Sequence, residues 1–245
     1  MVASIIHFFW TYLFMDSLPL STPEPDPREK KKYYFTDSLQ RRALVAFAYA
    51  LFLPIMKMEV HGQENLPREG SIILASNHVT NLDVFPIQFA VPRVIFFMGK
   101  AELFRNPVMD VLLRNLSAFP VRRGEKDQWS TRHALKILKQ GQTLGMFPEG
   151  TRSNGRGLNV AKTGAARLAI EANCPIVPVG VVGSNQFFKR FPRRAYVQIT
   201  LLPPLMPKPE ENPLAMTDRL MFTLAQALPP DMRGVYAEKP EGFNL

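Results

Sequence analysis

Apolar positions change their spacing along the chain. Residues 1–15 are apolar except Ser4, His7 and Thr11, whose i, i+3, i+7 spacing gathers them on one stripe of a helix. A second run, residues 43–56, carries no charge. As helix, ~14 residues reach only ~21 Å, whereas a hydrocarbon core is ~30 Å thick. Both runs therefore predict interfacial or half-inserted helices rather than spans. Packing of both on the core of a soluble protein is the alternative. Between them, Pro19, Pro23, Pro25 and Pro27 forbid a continuous helix. Lys30 to Lys32, followed by Tyr33, Tyr34 and Phe35, then supply the basic and aromatic character that a lipid headgroup zone attracts.

After Met56 the pattern becomes alternating. Short runs at 72–74, 94–98, 143–147, 176–182 and 195–202 predict strands. Residues 128–139 and 162–172 predict helices; in the second, Ala165, Leu168, Ala169 and Ala172 share one face. Near the end, Asn212 as cap and Pro213 as first helical residue open a helix lined by Leu220, Met221, Leu224, Ala225 and Leu228. Strands alternating with helices predict an α/β fold: a mixed, largely parallel central sheet flanked by helices, with an N-terminal membrane-associating helical segment. The expected division is 1–56 for that segment and 57–245 for the rest. A length of 245 residues suits one such domain with a short appendage.

Charge adds a partner class. The net +9 favours anionic partners, an anionic membrane surface among them. The basic residues fall in small clusters, including Arg122 with Arg123 and a group from Lys189 to Arg194. Nucleic acid is not expected, because no recognition motif accompanies the charge. Cys174 is the single cysteine, set in an apolar stretch and expected as a buried filler; no internal disulfide is possible. Four scattered histidines make no zinc-like cluster, so no metal is expected.

Chemistry concentrates where strands end. The strand from Ile72 runs into Ser76-Asn77-His78-Val79-Thr80-Asn81-Leu82-Asp83. His78 is the side chain there that titrates near neutrality. Asp83, five residues on, reaches it only through an irregular first turn. Phe147-Pro148-Glu149-Gly150-Thr151-Arg152-Ser153 is a turn-forming run carrying an acid, a hydroxyl and a guanidinium. Ala118 to Gly124 is a strand ending in adjacent arginines. Val177-Pro178-Val179 is a strand interrupted by proline, which suits an edge or a bulge.

In this order the segments resemble the four blocks of the 1-acylglycerol-3-phosphate acyltransferase (lysophospholipid acyltransferase) family. Asn77-His78 to Asp83 matches its first block, Ser117 to Arg123 the second, Phe147 to Ser153 the third and Ile176 to Val179 the fourth; Gly99-Lys100-Ala101-Glu102-Leu103-Phe104 matches a further segment. One departure is Ser117, where the family has glycine, which puts in doubt any backbone conformation that needs glycine's freedom. The resemblance implies direct acyl transfer from acyl-CoA or acyl carrier protein to a lysophospholipid hydroxyl, with no cofactor and no nucleophilic Ser or Cys. His78 would be the general base and Asp83 its partner. Asn77, Lys100, Arg123, Glu149, Gly150, Thr151 and Arg152 would bind substrate, with Lys100, Arg123 and Arg152 on the acceptor phosphate. Other implied acceptors are glycerol 3-phosphate or another lysophospholipid. A rival of a different class is a non-enzymatic membrane lipid-binding protein. The basic linker places the catalytic domain on the cytoplasmic side of a membrane.

Overall fold

The computed structural model describes residues 26–153, 155–189, 192–241 and 243. The apolar run 1–15 lies outside them. The chain forms two compact units, Met1–Lys32 and Tyr33–Leu245. In the first, a 3-10 turn over Pro27–Lys30 is capped by Asp26, whose carboxylate accepts from the Arg28 amide.

The second unit is built on seven strands: β1 (Met56–His61), β2 (Ile72–Ser76), β3 (Ile95–Lys100), β4 (Ala118–Val121), β5 (Thr143–Met146), β6 (Ile176–Val182) and β7 (Ala195–Leu201). Their spatial order is β1-β7-β6-β2-β5-β3-β4. Every neighbouring pair is parallel except β6 with β7. The helices are α1 (Leu39–Phe52), α2 (Val84–Ala90), α3 (Pro107–Asn115), α4 (Gln128–Lys139), α5 (Gly164–Ala172) and α6 (Pro213–Gln226). This is the mixed, largely parallel sheet the alternation predicts.

Strand β2 is apolar throughout because it is covered on both sides. Ile73 and Ala75 join one core cluster with α4 and α5, while Ile72 and Leu74 join another with α2 and α1. A central parallel strand cannot alternate apolar with polar. Ile72, Ile73 and Leu74 are all essentially inaccessible, and each contributes ~1.5–3 kcal/mol of hydrophobic stabilisation.

The uncharged run after Ala43 is the body of α1. The helix starts earlier than the run, because the Ser38 hydroxyl accepts from the Arg41 amide as a cap. It stops at Phe52, two residues before Pro54. Met56 is already the first residue of β1, a strand absent from the sequence reading. Its burial alternates along Met-Lys-Met-Glu-Val-His, a period-2 signal hidden beneath the apolar run that precedes it. Helix α5 begins at Gly164 rather than at 162.

Two positions depart from the simplest expectation. Pro178 does not lie on an edge: β6 is an interior strand between β7 and β2. The bulge alternative explains it. Ile176 pairs with Leu205 and Val179 with Leu201, so the second stretch carries one extra residue. Pro178, which has no N–H, faces that break, and its carbonyl accepts from Leu202 N at 3.0 Å. Ser117 does adopt the left-handed conformation, with φ of 59°, and is buried. The turn between α3 and β4 needs it there: Ser117 N donates to Arg114 O, and Ser117 O accepts from Phe97 N. An L-residue pays roughly 1–2 kcal/mol for that φ. Ser117→Gly is therefore expected to raise stability by ~1 kcal/mol, or about 2–4 °C in Tm. A lower Tm in thermal denaturation would mean that the 3.5 Å contact from Arg41 to the Ser117 hydroxyl outweighs the strain.

Candidate active site

Five mutually parallel strands bring their C-terminal ends to one edge of the sheet, where open α/β folds place reactive groups. His78 follows β2, Lys100 ends β3, Arg123 follows β4, the 147–153 turn follows β5 and Ser184 follows β6.

His78 is held on every side. Backbone pairing of β2 with β6 ends at Ser76 and Val179. The Asn77 side chain then extends the ladder, donating to Val181 O and accepting from Val181 N, both at 2.8 Å. Its amide thereby clamps the loop to β6. His78 N donates to Glu149 Oε1 at 3.0 Å, and His78 O accepts from Ser153 N at 2.8 Å. The imidazole stacks on Phe147 with centroids 4.0 Å apart and planes 18° from parallel.

Asp83 reaches the ring because residues 79–83 form a turn and α2 begins only at Val84. This is the irregular first turn that the five-residue spacing requires. Asp83 Oδ2 meets His78 Nδ1 at 2.9 Å and accepts from Val79 N and Thr80 N. Oδ1 accepts from the hydroxyls of Thr80 and Ser184. The carboxylate is fully buried and has a donor for each direction it faces. A carboxylate oxygen that already accepts from two backbone amides meets Nδ1 as an acceptor too, which assigns the proton of that contact to Nδ1 and leaves the lone pair on Nε2.

Glu149 is buried, and its second oxygen accepts from both Asn159 N and Asn159 Nδ2 at 2.9 Å. Its carboxylate thus ties the His78 amide to the 155–162 loop; its hydrogen bonds do not go to the arginines. That loop is clasped in turn. Ala161 N donates to Tyr236 Oη, Leu158 N to Met232 O and Val235 N to Leu158 O. Gly157 lies so close to Gly234 that a Cβ on it would come within 2.8 Å of the other backbone. Burial holds the Tyr236 phenol above its ordinary pKa, which keeps it neutral.

The basic residues divide. Arg123 Nη1 donates to Gly150 O at 3.2 Å, and both residues line a pocket of about 490 Å³ between α4 and α5. Lys162 and Arg167 line it too. Lys100 and Arg152 stand outside this lining: Lys100 pairs with Glu102 at 3.4 Å, and Thr151 and Arg152 are exposed. Ser184, Asn159, Tyr236 and Lys162 were not singled out from sequence. Ser184, directly after a strand and a glycine, carried a faint positional signal; the other three carried none. Cys174 is the buried filler it was expected to be, with burial pushing its thiol up to about 11. Among the described residues, no group of three or more acidic, His or Cys side chains is placed to hold a metal.

Comparison with known proteins places the chain in a family. The sequence model described as "Acyltransferase" matches residues 57–182, just over half of the chain. A 1-acyl-sn-glycerol-3-phosphate acyltransferase of Borreliella burgdorferi is 32% identical over 143 residues, 57% of this chain and 56% of the relative. One of Bacillus subtilis is 32% identical over 137 residues, 54% of this chain and 68% of the relative. The alignment thus spans little more than half of the first relative's length. The crystal structure of the 1-acyl-sn-glycerophosphate (LPA) acyltransferase PlsC from Thermotoga maritima superposes with a TM-score of 0.63 at 21% identity, covering 80% of this chain and 83% of the other; this likeness speaks for the fold. With the family model matched over more than half its length, the chain belongs to the acyltransferase family.

Proposed function

We propose that the chain transfers a fatty acyl group from acyl-CoA or acyl carrier protein to the free hydroxyl of 1-acylglycerol 3-phosphate, giving phosphatidic acid. The observation that carries this is the 2.9 Å contact between His78 Nδ1 and a buried Asp83, which leaves Nε2 as an oriented base. Nε2 takes the acceptor's hydroxyl proton as the oxygen attacks the thioester carbonyl. The C–O bond forms, the tetrahedral oxyanion collapses and the C–S bond breaks. The imidazolium, stabilised by Asp83, returns the proton to the departing thiolate. No covalent acyl-enzyme is needed. The names of the Borreliella and Bacillus relatives support this acceptor.

Thiol release from palmitoyl-CoA, with and without lysophosphatidic acid, tests the reading. Acceptor-dependent release supports it. Release that depends instead on glycerol 3-phosphate or another lysophospholipid moves the acceptor. Lipid binding without release from either CoA or carrier-protein thioesters overturns it in favour of a binding protein.

The substrates partition into lipid, and we place the enzyme on the cytoplasmic surface of a membrane, with residues 1–56 as the associating segment. No helix among the described residues is long and apolar enough to cross a bilayer. Helix α1 nevertheless exposes Leu39 and Phe47, at 82% and 65%, a face suited to interfacial insertion. A Leu39→Ser, Phe47→Ser variant is expected to co-sediment with anionic vesicles several-fold less than wild type. Equal sedimentation would remove α1 from the anchor.

A further inference from the structure

Lys162 takes no part in the proton-transfer machinery, yet its backbone is fixed to it. Lys162 N donates to Pro148 O at 2.9 Å, so this lysine is anchored to the turn that carries Glu149 and Gly150. Its side chain lies over Gly150. A Cβ built on that glycine, whose φ is +68°, would stand 3.3 Å from Lys162 Cε and 3.4 Å from Nζ. Arg123 approaches the same glycine and donates to its carbonyl at 3.2 Å.

Two cations therefore converge on one residue that has no side chain, and both line the pocket of about 490 Å³. Among the described residues, neither has a carboxylate within ion-pair distance. Glu125, Asp127 and Glu171 also line this pocket, but none of them pairs with either cation, and an anion bound between the two would satisfy both. An arginine supplies a planar fork and a lysine a compact point charge, and together they suit a phosphate dianion. Gly150 then has a second reason to be glycine: any side chain would press on the lysine's path.

We propose that Lys162 is the second cation of the acceptor-phosphate site, opposite Arg123 across Gly150, and that it sets the preference for phosphate-bearing acceptors. This rests on the function proposed above. Lys162 is exposed, so substitution should leave the fold intact, and a Tm within a degree or two of wild type would verify that.

The test is steady-state kinetics of the full chain and its Lys162→Ala and Lys162→Arg variants, varying lysophosphatidic acid and palmitoyl-CoA separately. A lost charge-assisted contact corresponds to roughly ten- to a hundred-fold. Lys162→Ala is expected to raise the KM for lysophosphatidic acid by about that factor, with kcat and the KM for palmitoyl-CoA within about two-fold. Lys162→Arg is expected to recover most of the loss. An unchanged acceptor KM in Lys162→Ala, beside an active wild type, overturns the proposal alone. A rise confined to the palmitoyl-CoA KM also overturns it and assigns the lysine to the donor's phosphates. A wild-type chain with no acceptor-dependent turnover overturns the underlying function instead.

Discussion

Asp83→Asn is expected to abolish nearly all acyl transfer, by on the order of 10⁴-fold, and to destabilise the fold at the same time. Three N–H groups and two hydroxyls point at this carboxylate. An asparagine side chain presents one oxygen and one NH₂, so donors on one side meet another donor. Each buried group left unsatisfied costs ~1–3 kcal/mol. The backbone amides of Val79 and Thr80 cannot turn away, and either they or the two hydroxyls lose their acceptor. The activity loss has a separate cause. Without a carboxylate, nothing fixes the proton on Nδ1 or stabilises imidazolium; the same substitution in a Ser-His-Asp triad costs about 10⁴ in kcat. Thermal denaturation and turnover measured on one preparation separate the two effects. A destabilised variant with near-normal turnover would sink the role given to Asp83.

His78→Ala is expected to lose 10²–10⁴-fold in turnover, the usual contribution of a general base, while keeping the fold. Removing the ring leaves Asp83 with four of its five donors, all from the loop itself and from Ser184. The backbone anchors of His78 to Glu149 and Ser153 use its amide and carbonyl and survive the substitution. What is lost is packing on Phe147. Circular dichroism and acceptor-dependent thiol release check both halves. An alanine variant as active as wild type would falsify the assignment of the base.

Hydrophobic spacing showed six of the seven strands and the sheet type, because each is written locally; the four blocks came from the family resemblance, which also gave His78 and Asp83 their roles. The contact of that pair was open to a sequence reading, since five residues of loop hold it. The supports of that pair were not. Asn77 reaches Val181, Glu149 reaches the His78 amide, and Ser184 reaches Asp83, each across much of the chain. Only the sheet topology makes those residues neighbours. Asn77 and Glu149, which the resemblance implies as substrate ligands, are buried and also hold the protein's own backbone. Lys162 had the opposite fate, for it follows a loop with no periodic signal and is brought to Gly150 by a single backbone hydrogen bond. Strand β1 was missed because Met56 ends an apolar run that also contains a helix.

The clasp around residues 155–162 has a consequence for how the enzyme comes into being. During vectorial synthesis His78 leaves the ribosome early, with β2. Its amide partner Glu149 follows much later, and the loop that steadies Glu149 is itself fastened by Met232, Val235 and Tyr236. Strand β1, made before the histidine, waits likewise for β7 before it has a neighbour. A nascent chain that already displays the His78–Asp83 loop therefore lacks the contacts that hold it in register. The full set of contacts around His78 can form only after translation has passed the clasp.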